Sequence, residues 1–403
     1  MPGQLERFQE NVRALCSIAL ARLPEMIDPA SGLVVFRLRG EALKREGTSL
    51  RYTAITALGL ERAEAHGLST TVDRGALLEA LDATLAGADD AGALGLTLWA
   101  AARDHRALAE RALAALLEHD DVRKIRGGDT VHSTELAWVA IGLAEALAAG
   151  VGRENEVRAR LDGAFARLLS HRGESGLVGF ARPIDLGRST LRSRARQRLG
   201  FFDAQVYAIV AALRKHEVTG DAEALEAARS IGSLLLQGQG RRGQWAWHYD
   251  TKTGDVVDLY PVYSVHQDGM APLALLPLEK ATGIPATAAV ARGVSWLFDD
   301  NEIGEPLAHP DAGVIWRSVK RRGALRALVY PLKLASLSGL HLDLGARLGR
   351  PSCLSIDREL RPYHLGFCLL AFAELAGRAQ PTLRTGVAST PEPRRSTNHL
   401  EHR

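Results

Sequence analysis

The sequence predicts an all-α protein built as an (α/α)6 toroid, six helical hairpins with long insertions and a short β-hairpin. Six segments are small and apolar on most faces, six more are amphipathic and charge-rich, and the two kinds alternate along the chain. A helix that is apolar nearly all round must be buried, and one with a wet and a dry face can cover it. A ring of inner helices wrapped by a ring of outer helices buries both sets. An open superhelix of helical pairs is the alternative, but its repeats would be near-constant in length. Here the inner segments are unevenly spaced, with long insertions at about 173–200, 239–262 and 300–360. Insertions of that kind are where a closed scaffold carries its binding loops.

The inner segments begin at Ser49, Ala93, Ser133, Phe201, Asp268 and Pro362. The outer ones comprise ERFQENVRALCSIALARL near the N-terminus and segments beginning at Gly75, His105, Glu154, Asp221 and Thr287. Several carry helix-start signals, such as Asp221 followed by Glu223 and Glu226, or the Ser133-Thr134-Glu135 cluster. Strand is expected only in short hairpins, near residues 245–260 with Gly254 as turn residue, and at Leu33–Leu38. The toroid domain should span residues 1–378, and residues 379–403, rich in Pro, Ser, Thr and charge, should form a disordered tail.

Length and composition fit one large domain. The chain has 403 residues, of which 46% are hydrophobic, with Ala and Leu prominent. Fifty basic residues against 47 acidic ones leave a net charge of +3, too balanced to argue for nucleic acid. Cys16, Cys353 and Cys368 have neither metal-ligand spacing nor a disulfide framework, and fit a reducing compartment as buried apolar groups. No metal or other cofactor is expected. The N-terminal segment is interrupted by Glu6, Glu10 and Arg13, and no stretch reaches the roughly 18 apolar residues of a membrane span. The expected location is cytoplasmic. Oligomeric state stays open.

The insertions hold most of the chemistry. The first places Arg182, Arg188, Arg192, Arg194, Arg196 and Arg198 ahead of an inner helix. Such a run is either a solvated loop or an anion-attracting rim, since Arg binds carboxylate and phosphate bidentately. The second gathers Trp245, Trp247, Tyr249, Tyr260 and Tyr263 with His248, Asp250, His266, Gln267 and Asp268. Flat aromatic faces interleaved with carboxylates and amides suit sugar rings, whose faces stack and whose edge hydroxyls need directional partners. A loop plug packing its own aromatics against the mouth would show the same composition. The third insertion offers Trp316 and Arg317 to the same mouth, while Asp299, Asp300, Glu302 and Asp311 read as solvent charges.

The stretch ARSIGSLLLQGQGRRGQWAW, through Gln237, Gly243, Gln244 and Trp245, resembles the repeat motif of squalene and terpenoid cyclases. In that superfamily the motif ties an outer helix to the next inner helix. The whole-chain organisation also resembles the six-hairpin glycosidase superfamily. Both resemblances imply a toroid, and neither fixes a substrate. The Asp-x-Asp-Asp acid motif of squalene-hopene cyclases is missing, and aromatic residues are 5% of the chain. Protein prenyltransferase β-subunits resemble toroids too, but the cysteines here do not match their zinc site.

Ring closure would bring the polar starts of the inner helices to one end. That gathers Arg51 and Tyr52, His132 and Glu135, Asp203 and Gln205, His266 and Asp268, and Tyr363 and His364. Any single acid among them could equally be a helix cap. Two carboxyls acting together would meet the needs of glycoside hydrolysis, and Asp203 and Asp268 lead, with Glu135, His266 and Tyr263 as further candidates. A lyase or epimerase acting on a uronic acid would use Tyr or His, with Arg holding the carboxylate. The expectation is therefore a carbohydrate-active enzyme of hydrolase, lyase or epimerase type, acting on an oligo- or polysaccharide of anionic character. An isoprenoid-binding or isoprenoid-cyclising protein and a non-catalytic scaffold are the alternatives.

Overall fold

The computed structural model describes residues 2–85, 90–118, 130–183, 198–328, 337 and 349–378. The tail from residue 379 lies outside them. Twelve α-helices among the described residues form two layers. The inner layer is α2 (Leu50–Ala65), α4 (Ala91–Ala101), α6 (Ser133–Ala148), α8 (Phe202–Thr219), α10 (Ala271–Thr282) and α12 (Pro362–Gly377). The outer layer is α1 (Pro2–Arg22), α3 (Arg74–Leu85), α5 (Arg106–Glu118), α7 (Glu154–Leu169), α9 (Ala222–Gln237) and α11 (Thr287–Trp296).

Each inner helix packs on the next, and α12 returns to α2, so the ring closes. Five outer helices pack on the inner helix that precedes them, and α1 packs on α12. The sixth hairpin is thus assembled from the two ends of the domain. No helix among the described residues is long and apolar enough to cross a membrane.

Glycines set how closely the ring is drawn. A Cβ on Gly59 of α2 would lie 2.3 Å from the Gly366 carbonyl oxygen of α12, and one on Gly142 of α6 would lie 2.4 Å from the Gly95 oxygen of α4. At these two crossings backbone meets backbone. Below the first turn the inner helices are closed: Ala91–Ala101 of α4 and Ser133–Ala146 of α6 are buried throughout, as are Thr53–Leu60 of α2 and His364–Leu369 of α12.

Strand is more widespread than the sequence suggested. The expected hairpins appear as β1 (Val35–Arg39) with β2 (Lys44–Thr48), and β6 (His248–Asp250) with β7 (Val256–Asp258). Three-residue strands β3 (Thr130–His132) and β4 (Ala181–Pro183) pair with each other, and β5 (Leu199–Phe201) pairs with β6. β8 (Val262–Tyr263) and β12 (Leu354–Asp357) both pair with β11 (Ser318–Arg321), β9 (Ala308–His309) pairs with β10 (Val314–Ile315), and β13 (Glu359–Leu360) pairs with β1, making four further antiparallel ladders. These strands are too short for a legible alternation of two, and each is completed by a partner distant in sequence. Their placement is regular: β2, β3, β5, β8 and β13 each end within two residues of the start of an inner helical segment. The sheets therefore stand at one end of the ring, around the inner-helix N-termini.

Candidate functional site

The accessible surface of the inner helices at this end is confined to their first turns. Arg51 and Tyr52 open α2, Asp203 opens α8 and Tyr363 opens α12, and all four are partly exposed. The strands ahead of the helices add Phe36, His132, Phe201, Tyr263 and Arg361, with Trp247 and Phe180 from the loops, again partly exposed. These side chains touch in series. Phe180 lies against His132 (4.7 Å between ring centroids) and stacks on Phe201 (4.2 Å). Phe201 meets Trp247 (5.3 Å), Trp247 meets Tyr263 (4.9 Å), and the Arg317 guanidinium lies 5.0 Å from the Tyr263 ring centre. On the far side Tyr52 packs between Phe36 (5.4 Å) and Tyr363 (4.5 Å), and Arg361 Nη1 donates to the Tyr52 hydroxyl at 2.8 Å. The result is a cleft walled by aromatic rings.

Its floor is polar. Thr134 donates to Asp203 Oδ2 at 3.1 Å, while Asp203 Oδ1 is buried without a hydrogen-bond partner among the described residues. Asp203 is partly exposed, and desolvation of its carboxyl raises its pKa above the ordinary value. Glu135 is ion-paired with Arg51, which also holds Asp90, the N-cap of α4, through two hydrogen bonds of 2.6 and 2.8 Å. The Arg51 guanidinium lies 5.0 Å from the Trp138 ring centre, and Trp138 meets Tyr207 edge-on at 5.3 Å. Burial drives the Tyr207 hydroxyl pKa well upward.

The remaining candidates lie just beneath. Residues His266–Met270 form a π-helical turn ahead of α10, a feature that recurs at functional sites. Asp268 is fully buried, and its Oδ1 lies 2.7 Å from His364 Nε2. Burial raises the Asp268 pKa, against the downward pull of His364. His266 packs on Phe202 (4.6 Å) and Tyr263 (5.2 Å). Buried polar atoms of Glu135, Asp203, His266 and Asp268 all lack a hydrogen-bond partner among the described residues.

Several expected substrate contacts are corrected by burial. Gln205 is fully enclosed and clamps the Val178 amide and carbonyl at 2.7 and 2.6 Å. Trp245, Gln267 and Tyr249 have no exposed surface; Gln267 accepts from the Trp245 amide at 3.0 Å and donates to the Tyr263 carbonyl at 2.9 Å. These residues staple the loop; Gln239 rather than Gln237 makes the bridge, donating to the Gly243 and Ala289 carbonyls at 2.7 and 2.8 Å and so reaching the outer helix α11, not the next inner helix that the cyclase-like motif implied. Asp250 is taken up by Arg198 at 2.6 Å, and Trp316 is buried. Tyr260 faces a separate surface cleft of about 490 Å³, shared with Glu302 and Arg321. Glu302 is not a solvent charge, since Gln244 and Trp296 donate to it at 2.7 and 3.0 Å. Arg188, Arg192, Arg194 and Arg196 lie outside the described residues.

Thr134, Phe180, Phe201, Tyr207 and Arg361 escaped the sequence reading. Phe201 and Arg361 could have been found by asking which residue immediately precedes each inner helix. Phe36 reaches the cleft through the β1–β13 pairing, Leu38 opposite Leu360, which no local pattern signals.

The buried histidine gives the site a pH signature. Desolvation lowers the His266 pKa from 6.5 to about 3. Between those values the unfolded chain binds a proton that the native protein excludes, so this contribution is present above pH 6.5 and is lost as pH falls toward about 3. Asp203 and Asp268, with raised values, act in the opposite sense. Replacing His266 by Asn should therefore flatten the acid-side loss by roughly 2 kcal/mol between pH 6.5 and 5, about 1.4 kcal/mol per unit. Urea midpoints of the two proteins at several pH values measure this, and parallel pH profiles would contradict it.

No protein-family model matches the chain, and no curated protein sequence matches it. Solved structures do. An unsaturated glucuronyl hydrolase specific for heparin superimposes with TM-score 0.61 at 15% identity, over 93% of this chain and 98% of that one. A sugar epimerase from a ruminal bacterium gives 0.61 at 11% identity, over 93% and 100%. The GH76A α-1,6-mannanase of Salegentibacter sp. HEL1_6 gives 0.55 at 12% identity, over 92% and 99%. The chain has the six-hairpin, glycosidase-like α/α-toroid fold that these proteins share.

Proposed function

We propose that this chain is a carbohydrate-active enzyme of hydrolytic type, with Asp203 as its proton donor. One observation carries the reading: a partly exposed aspartate, its carboxyl biased by burial toward the protonated form, sits at the base of an aromatic-walled cleft. A sugar ring would lay its apolar face on Trp247 and Tyr263. Asp203 would protonate the departing glycosidic oxygen as the bond to the anomeric carbon breaks. Water would add to that carbon and lose its proton to Glu135, the carboxylate ion-paired with Arg51. Asp268 has no exposed surface and is engaged by His364. It supports the floor in this scheme, and Glu135 takes the place the sequence had offered it.

The activities named for the structural neighbours support a carbohydrate substrate. An isoprenoid pocket would be dry, whereas the accessible floor residue here is an aspartate. Among the described residues, Arg51, Arg317 and Arg361 each have an acidic partner in Asp90, Asp357 or Glu359, so none of the three demands an anionic sugar. Neutral and uronate glycans both belong in the test. Titrating a panel of them while following tryptophan fluorescence should reveal one that binds, and Trp247→Ala should weaken its binding about 10-fold, the loss of one stacking face. A panel without a binder would overturn the proposal.

A further inference from the structure

We infer that the cleft is a blind pocket that accepts the end of a saccharide, so the enzyme acts on terminal residues and does not cut within a chain. The inference rests on the functional reading above and adds the direction of substrate entry.

The depth of the opening follows from where the inner helices stop being accessible. In α2 the exposure ends at Tyr52 and Thr53–Leu60 are buried; in α12 it ends at Tyr363 and His364–Leu369 are buried. In α8 Asp203 is partly exposed, and Ala204–Leu213 are all buried. In α4 and α6 every residue at this end is buried, with Glu135 keeping 6% of its surface, and the turn His266–Met270 is closed as well. The ring therefore has a floor about one turn below its rim, roughly 5 Å by the pitch of an α-helix. Trp138, Tyr207 and Phe367 fill the space beneath it, with Tyr207 5.3 Å from Trp138 and 5.8 Å from Phe367 between centroids. The backbone contacts at Gly59–Gly366 and Gly95–Gly142 draw the helices too close to leave a channel between them. No chain can thread through the ring.

The rim decides whether a chain can lie across. A groove needs two open sides. Strands stand ahead of α2, α6, α8, the π-helical turn and α12, and they belong to the ladders β1–β2 with β13, β3–β4, β5–β6–β7 and β8–β11–β12. Among the described residues the side ahead of α4 is the one without a strand. A saccharide can leave the pocket there or upward, but a continuous chain cannot enter on one side and depart on the other. The polar floor groups then meet the hydroxyls of one terminal ring, and the aromatic wall holds the next.

The experiment uses the wild-type protein and hexasaccharides of the glycan that binds, one set free and one set fluorescently labelled at the reducing end, sampled early in turnover. End-on action predicts monosaccharide as the first small product and labelled fragments that shorten one residue at a time, or turnover confined to the free set if entry is from the reducing end. Early appearance of labelled di- and trisaccharides with no monosaccharide would overturn the blind pocket while leaving a carbohydrate enzyme standing. A hexasaccharide that is neither bound nor cut, in a panel where no other glycan is bound, would remove both readings together.

Discussion

Asp203→Asn is expected to lower turnover about 10²–10⁴-fold, the usual contribution of a positioned general acid. Asparagine nearly keeps the shape and can still accept from Thr134, which bonds Oδ2 at 3.1 Å in the wild type. The helical circular dichroism should be unchanged. Stability should move the other way from activity. A carboxyl whose pKa is raised by burial stabilises the fold at low pH, and that contribution is lost as pH rises through the folded-state value. At neutral pH the asparagine variant has no charge to bury and should unfold at a higher urea concentration than the wild type. Turnover by the wild type should likewise fall on the alkaline side of the raised value, as the acid loses its proton. A variant that is less active only because it is less folded would show the opposite stability change.

Gly366→Ala is expected to produce a large loss of stability. The added carbon would lie 2.7 Å from the Ile55 oxygen and 3.0 Å from the Ile55 carbonyl carbon and Thr56 Cα, all of them backbone. A flexible side chain could move aside, but a helix backbone cannot without separating α2 from α12. Overpacking of this kind costs about 3 kcal/mol when the neighbours cannot yield. The control is Gly163→Ala in α7, where nothing lies within 4 Å of the new carbon. There, relief of glycine's backbone entropy should raise stability by about 0.5–1 kcal/mol. Urea midpoints with unchanged slopes would establish both effects. Equal effects at the two positions would mean that the ring is not drawn tight by its glycines.

The ring was legible because its signal is long-range in period and local in cause. Segments such as ALGLTLWAA have no polar face, and all eleven residues of α4 are buried as that pattern demands. Convergence of Tyr52, Glu135, Asp203 and Tyr263 at one end followed from helix direction once the ring was assumed. What the sequence could not separate was an aromatic that faces the cleft from one that holds the loop. Trp247 and Trp245 stand two residues apart, yet one is partly exposed and the other has no exposed surface. The difference is made by Gln267, 22 positions away, which accepts from the Trp245 amide. Asp268 is hard to place for a similar reason: its neighbourhood is rich in chemistry, but the π-helical turn carries it inward to His364. The short strands that fence the cleft were invisible because each depends on a partner from another insertion.

In the proposed reaction a sugar is processed above Asp203. A crystal structure of the Asp203→Asn variant soaked with a glycan found by titration tests it most directly. A terminal sugar ring should lie against Trp247 and Tyr263, with its glycosidic oxygen within about 2.6–3.2 Å of the residue 203 side chain. A glycan seated instead in the separate cleft beside Tyr260, Glu302 and Arg321, with the inner-helix N-termini unoccupied, would contradict it.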